Sequence, residues 1–179
     1  MKIKNKTKNI VLTALFTAII FILSRLAHIP LPDGGIIHVA DAFIFLSACI
    51  LPWPYAMFAG AAGAGLTNLT AAHLIMFFPA TIIIKPLYVP FFGRKSVKII
   101  TVRNIIATVI AGMICVIGYY LWWAVGIPDA GFIGALPKIP GLAIQAVASV
   151  VVFIMAGYAF DRANIKKILA YDSNTNELL

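Results

Sequence analysis

The stretch Gly34-Gly35-Ile36-Ile37-His38-Val39-Ala40-Asp41-Ala42-Phe43-Ile44-Phe45-Leu46 puts an acid and a histidine three residues apart in a run otherwise apolar enough to lie in a bilayer. An ionisable group in hydrocarbon is costly unless it pairs or faces a cavity. Fold and function both turn on what these two side chains meet.

The rest of the chain is of the same kind. Of its 179 residues 62% are hydrophobic and 11% charged, and the mean hydropathy is +1.00, outside the range of soluble domains. Crossing ~30 Å of hydrocarbon takes about 20 apolar residues in a helix, and such runs recur along the sequence with little chain between them. One integral membrane domain over residues 1–179 is expected, which excludes a soluble catalytic domain. The net charge of +8 does not point to nucleic acid, because the basic residues sit in short segments between apolar runs. Cys49 and Cys115 lie inside apolar runs and read as packing residues, not as a disulfide or metal ligands. No metal and no cofactor is called for.

Lys2, Lys4, Lys6 and Lys8 precede Ile10 to Ala27, an apolar run too long for a signal peptide. The first span is therefore expected at about 9–28, ended by His28-Ile29-Pro30-Leu31-Pro32-Asp33-Gly34-Gly35, whose prolines and glycines mark a loop. The second runs over about 36–51 to the turn Pro52-Trp53-Pro54, and the third, rich in glycine and alanine, over about 55–72. Small residues there let another helix approach closely. Pro79, Pro86 and Pro90 each remove a backbone donor, which predicts a loop or short turn at about 71–79 and a short bent span at about 79–92. Spans five and six are expected at about 104–126 and 140–160. The fold class is thus an all-α membrane protein of six transmembrane helices.

Six spans put both termini on one side. That side gathers Lys2, Lys4, Lys6, Lys8, Arg94, Lys95, Lys98, Arg103, Arg162, Lys166 and Lys167, eleven of the 14 basic residues, so both termini are expected to be cytoplasmic. With about 1.5 Å of rise per residue, His38 and Asp41 fall in the outer half of span two, on one helix face. Asn68 and His73 come at the outer end of span three, Lys85 near the middle of span four, Trp122 and Trp123 near the outer end of span five, and Gln145 early in span six. Arg25 is expected to snorkel to the surface. Polar residues converging at one depth, with Phe43, Phe45, Phe77, Phe78 and Tyr88 nearby, suggest one outward pocket of the kind that holds a small molecule. Each has a plainer role: Asp41 pairing with Lys85 to join two spans, His38 bonding a loop carbonyl, Asn68 and Gln145 acting as interhelical amides, and the tryptophans anchoring at the interface.

No phosphate loop, H-E-x-x-H pair or G-x-S-x-G nucleophile occurs, so the chain shows no means of hydrolysing ATP and no catalytic residues. Nor does it carry the repeats or paired broken helices of a self-sufficient carrier. Ala14 and Ala18 form a small-xxx-small pair in span one, a smooth stripe suited to close helix contact, with internal packing the simpler reading.

The basic N-terminus, the A-x-x-x-A element of the first helix (Ala14, Ala18), the His38-Val39-Ala40-Asp41-Ala42-Phe43-Ile44-Phe45-Leu46 stretch ending in a Pro-aromatic turn, and the Gly/Ala-rich third helix resemble the substrate-binding S components of energy-coupling factor (ECF) transporters. One branch carries a G-D-A segment where this chain has Ala40-Asp41-Ala42. The resemblance implies an S-component-like six-helix bundle in a bacterial cell membrane. It implies a capture protein for a vitamin, working with a transmembrane coupling protein and two cytosolic ATPases by toppling in the membrane. It also implies ligand contacts from loops 29–36, 71–79 and 127–139, and docking of the coupling protein on Ala14 and Ala18. Asp41, Lys85, two histidines, amides and aromatics suit a small flat heterocycle, pyridoxine-like or a pyrimidine precursor, better than a long polyglutamyl or flavin ligand, with pantothenate and a deazapurine base as further candidates. The alternatives are a stand-alone permease driven by protons through Asp41 and His38, and a lipid-acting membrane enzyme, which would need a second deep carboxylate.

Overall fold

A computed structural model describes residues 2–30, 36–70, 72–128 and 130–171. Helix α1 (Lys2–Leu26) leads into a short antiparallel hairpin of β1 (His28–Pro30) and β2 (Ile36–His38), with His28 opposite His38. Next come α2 (Asp41–Ile50) and α3 (Trp53–Leu69), then a segment that is helical throughout: a 3-10 turn (Ala72–Phe77), α4 (Phe78–Ile84) and a second 3-10 turn (Pro86–Phe91). Helix α5 (Val102–Leu121) widens into a π turn at Trp122–Gly126, followed by α6 (Gly131–Ala135), a 3-10 turn (Leu136–Lys138), α7 (Ile139–Arg162) and α8 (Ile165–Tyr171).

Two expectations are corrected and one is narrowed. Residues 36–38 form a strand and not the start of span two, so His38 and Asp41 do not share a helix face. The β-branched Ile36 and Ile37 suit a strand, and the helix begins only at Asp41, whose charge favours the positive end of α2. Residues 72–77, expected as a loop or short turn, form a 3-10 turn that runs directly into α4. Pro79 does not prevent this because it stands in the first turn of α4, where its missing N–H has no partner to lose. The 127–139 connection holds α6 and a 3-10 turn of its own. Loop residues 31–35, Ala71 and Asp129 and the polar tail 172–179 lie outside the described residues.

Among the described residues, four helical segments, Lys6–Leu26, Ala72–Phe91, Val102–Gly126 and Gly131–Arg162, are long and apolar enough to cross a membrane. The other two expected spans are α2, with 10 residues, and α3, with 17, roughly 15 and 25 Å long. The long helices turn apolar side chains outward and hold polar ones inside among small and aromatic residues. On α7 the buried stripe is Gln145, Ser149, Phe153 and Gly157, while Ile144, Val147, Val151, Ile154, Met155 and Tyr158 are exposed. Water would reverse that pattern; hydrocarbon favours it, since lipid tails solvate the apolar side.

Helix α3 packs against α1, and at Gly63 an added Cβ would lie 2.8 Å from both Ile20 and the Thr17 carbonyl oxygen. Glycine there sets the approach of the two helices. Helix α1 turns Thr13, Phe16, Ile20 and Ser24 inward and leaves Ala14, Leu15, Ala18 and Ile22 exposed. The centre of the core is aromatic. Phe45 stacks on Phe92 with centroids 5.2 Å apart, and Phe153 meets both edge-on at 6.0 Å.

The end carrying the termini is closed by polar clips. The Ile99 and Ile100 amides donate to Asp161 at 2.6 and 2.9 Å, Lys166 donates to the Arg94 and Ser96 carbonyls, and Lys8 donates to the Leu169 carbonyl. The hairpin, the 72–77 turn and the 122–138 region form the opposite end.

Candidate functional site

Asp41, at the start of α2, and Lys85, between α4 and the second 3-10 turn, meet in the protein interior at 2% and 1% side-chain exposure. Lys85 Nζ donates to both carboxylate oxygens, at 2.7 and 2.9 Å, and to the Tyr88 hydroxyl at 3.3 Å. It also lies 5.3 and 5.1 Å from the ring centres of Tyr88 and Tyr119, close enough for cation–π attraction. Gln145 of α7 donates to Asp41 Oδ2 at 3.3 Å, and Cys115 of α5 approaches the same oxygen at 3.9 Å. Four elements thus converge on one carboxylate. Every strong bond of the ion pair is made inside the protein, which is what keeps two charges tolerable in a low-dielectric interior.

A second set of polar groups adjoins the pair. Asn68 of α3 donates to Thr81 Oγ1 at 2.6 Å, and Thr81 and Tyr119 share a hydrogen bond of 2.9 Å. Tyr119 therefore touches both sets, through its hydroxyl and through its ring.

Beyond Tyr119, at the hairpin end, lies an aromatic group built on Leu74 and Phe77, with Tyr119, Trp122, Trp123 and Ile127 packed against it. Phe77 and Trp123 are tilted with centroids 5.1 Å apart, and the Lys138 ammonium sits 4.1 Å from the Trp123 ring centre. Trp122 Nε1 donates to the Met76 carbonyl at 3.1 Å, which ties the π turn to the 72–77 turn. π turns of this sort often mark functional positions in helices.

Of the residues singled out in the sequence, Asp41, Lys85 and Gln145 bond directly and Asn68 joins them through Thr81 and Tyr119. Trp122 and Trp123 belong to the aromatic group. His38, on β2, is within electrostatic reach of the Asp41 carboxylate. His73 is exposed on the 72–77 turn, beside Leu74. Phe45 and Tyr88, candidates for stacking on a ligand, are core residues, buried with Phe92 and Phe153.

Sequence reasoning missed Thr81, Tyr119 and the polar contacts of Cys115. Their signal was spacing: Thr81, Lys85 and Tyr88 fall four and three apart, and Cys115 and Tyr119 four apart, so each set shares a helix face.

The family model described as ECF-type riboflavin transporter, S component, matches residues 4–161. No curated protein sequence matches the chain.

Proposed function

The chain belongs to the ECF-type riboflavin transporter S-component family, and from that premise we propose that it captures riboflavin at the hairpin end of the bundle and passes it to an ECF module. S components are membrane-embedded substrate-capture subunits, working with a transmembrane coupling protein and ATPase subunits; the family is one of transporters, not enzymes.

The observation that carries the riboflavin reading is the division between the closed ion pair and the aromatic group. A pyridoxine-like or pyrimidine ligand was expected on the strength of Asp41, Lys85 and Gln145 as polar anchors, but these side chains are buried and bonded to one another. Phe77, Trp122, Trp123 and Tyr119 instead offer broad ring surface, with Lys138 beside it, which suits a large flat ring such as isoalloxazine. On this reading Asp41 and Lys85 hold the wall of the site in place, and Asn68, Thr81 and Tyr119 link that wall to the ligand. His38 and His73 stand at the rim.

The eleven basic residues grouped toward the terminal end support cytoplasmic termini and an outward-facing site. They also support counting α2 and α3 as membrane elements of a six-helix bundle. The exposed Ala14 and Ala18 face supports docking of the coupling protein on α1, since internal packing does not use it.

Purified protein titrated with riboflavin, pyridoxine and a pyrimidine vitamin precursor, read by quenching of tryptophan fluorescence, tests the ligand. Saturable riboflavin binding is expected. Binding of a small ring in its place would overturn the flavin reading, and uptake without the ATPase partners would overturn the S-component mechanism in favour of the proton-driven permease.

A further inference from the structure

Toward the terminal end, on the outer surface of the bundle, α5 and the second 3-10 turn flank a groove of about 420 Å³ lined by Phe91, Val102, Arg103, Ile106, Ala107 and Ile110. Five of these side chains are apolar and the sixth is a cation. From Arg103 to Ile110 the groove follows α5 for roughly 10 Å, running from the basic segment into the apolar belt of the bundle.

The groove is held in shape. Asn104, fully buried, accepts from the Gly93 amide at 2.7 Å and donates to the Gly93 and Ile99 carbonyls at 3.3 and 2.8 Å. This pins both ends of the 93–99 segment to the first turn of α5. The Arg103 side chain crosses Gly93, where a Cβ would lie 2.9 Å from its Cδ, and its Nε donates to the Phe91 carbonyl at 3.5 Å. Glycine at 93 therefore leaves room for the arginine to lie across the mouth of the groove. Arg103 is exposed, and Arg94, Lys95 and Lys98 are exposed in the same segment.

We propose that this groove seats one acyl chain of an anionic phospholipid whose phosphate is bound by Arg103. Apolar lining alone would not distinguish this lipid from its neighbours, because a chain leaving bulk bilayer gains little hydrophobic free energy. Selection comes from the fixed cation at the mouth. A guanidinium presents paired N–H donors that match a phosphate in a way an ammonium does not, and the neighbouring basic residues add general attraction to an anionic surface. The proposal requires that the chain sit in a membrane and is independent of which vitamin it carries.

Native mass spectrometry of the purified protein, titrated with phosphatidylglycerol or phosphatidylcholine of matched chains, tests it. The wild type should retain one phosphatidylglycerol in clear preference. Arg103→Gln should reduce that preference about fivefold, and Lys98→Gln, outside the groove, should leave most of it. Val102→Trp, a change at an exposed position that covers the groove, should displace the bound lipid while riboflavin binding is kept. Equal retention of both lipids, or an equal loss in Lys98→Gln and Arg103→Gln, would overturn a specific site in favour of diffuse surface charge. An Ile106→Cys thiol that the coupling protein shields from maleimide, and that phosphatidylglycerol vesicles do not, would assign the groove to a protein helix and also overturn the proposal.

Discussion

Replacing Asp41 with asparagine separates the two roles open to the buried pair. Its oxygens are 2.7 and 2.9 Å from Lys85 Nζ, a Coulomb attraction of about 6 kcal/mol at an effective dielectric of 20. That gain is offset by several kcal/mol of desolvation per ion, so the intact pair contributes little net stability. Removing one partner is different: Asp41→Asn leaves the Lys85 ammonium buried without a counter-charge, with one amide oxygen, the Tyr88 hydroxyl and two aromatic rings as its neighbours. The expected loss is about 3–5 kcal/mol, or a fall in Tm of roughly 6–20 °C for a chain of this size. Adding Lys85→Met removes the stranded charge and should recover at least about 2 kcal/mol of that loss. Thermal unfolding in detergent, with and without riboflavin, reads both. An Asp41→Asn protein that keeps its Tm within about 3 °C yet binds riboflavin tenfold or more weakly, about 1.4 kcal/mol, would refute the reasoning: Asp41 would then touch the ligand.

Trp123→Ala should weaken riboflavin binding at least about fivefold, the scale of losing one aromatic stacking partner, with little change in unfolding; titration by flavin fluorescence checks it. Ala14→Trp should leave riboflavin binding intact and abolish uptake in cells that hold the ATPase partners, because it fills the exposed α1 face without entering the core. Asn104→Ala strips three hydrogen bonds from the 93–99 segment and should cost about 2–4 kcal/mol, read by thermal unfolding. Gly63→Ala puts a methyl 2.8 Å from Ile20 and the Thr17 carbonyl oxygen, and the overpacking should cost about 1–3 kcal/mol.

Membrane character, the approximate ends of the long helices and the side of the bundle that gathers the cations are legible in the sequence. Each follows from a local quantity: apolar run length, proline and glycine punctuation, or the position of lysines and arginines. The residues that would cluster were also legible, because Asp41, Lys85, Gln145 and Asn68 are the polar side chains an apolar bundle must bury or exclude. Secondary structure at the hairpin end was not. Ile36 and Ile37 are apolar enough to extend a helix, and only the pairing of Ile37 with Ile29 makes residues 36–38 a strand. That pairing is a contact between segments and leaves no periodic mark in a stretch of three residues.

The use to which the cluster is put depends on partners more than on composition. Seen one at a time, an acid, a lysine and an amide in a membrane span look like anchors for a polar ligand, and the small-heterocycle expectation came from that view. In the folded chain Lys85 brings its charge to the first turn of α2, where the carboxylate also lies at the positive end of the helix, and Gln145 supplies a further donor. With its main bonds made internally, the pair serves the proposed site as a support for its wall. Tyr119 is where the two regions meet: its hydroxyl bonds Thr81, its ring faces the Lys85 ammonium, and it packs with Trp122 against the aromatic group. A change that breaks the ion pair should therefore reach the ligand through Tyr119, lowering affinity in step with stability. Direct contact with Asp41 would lower affinity alone.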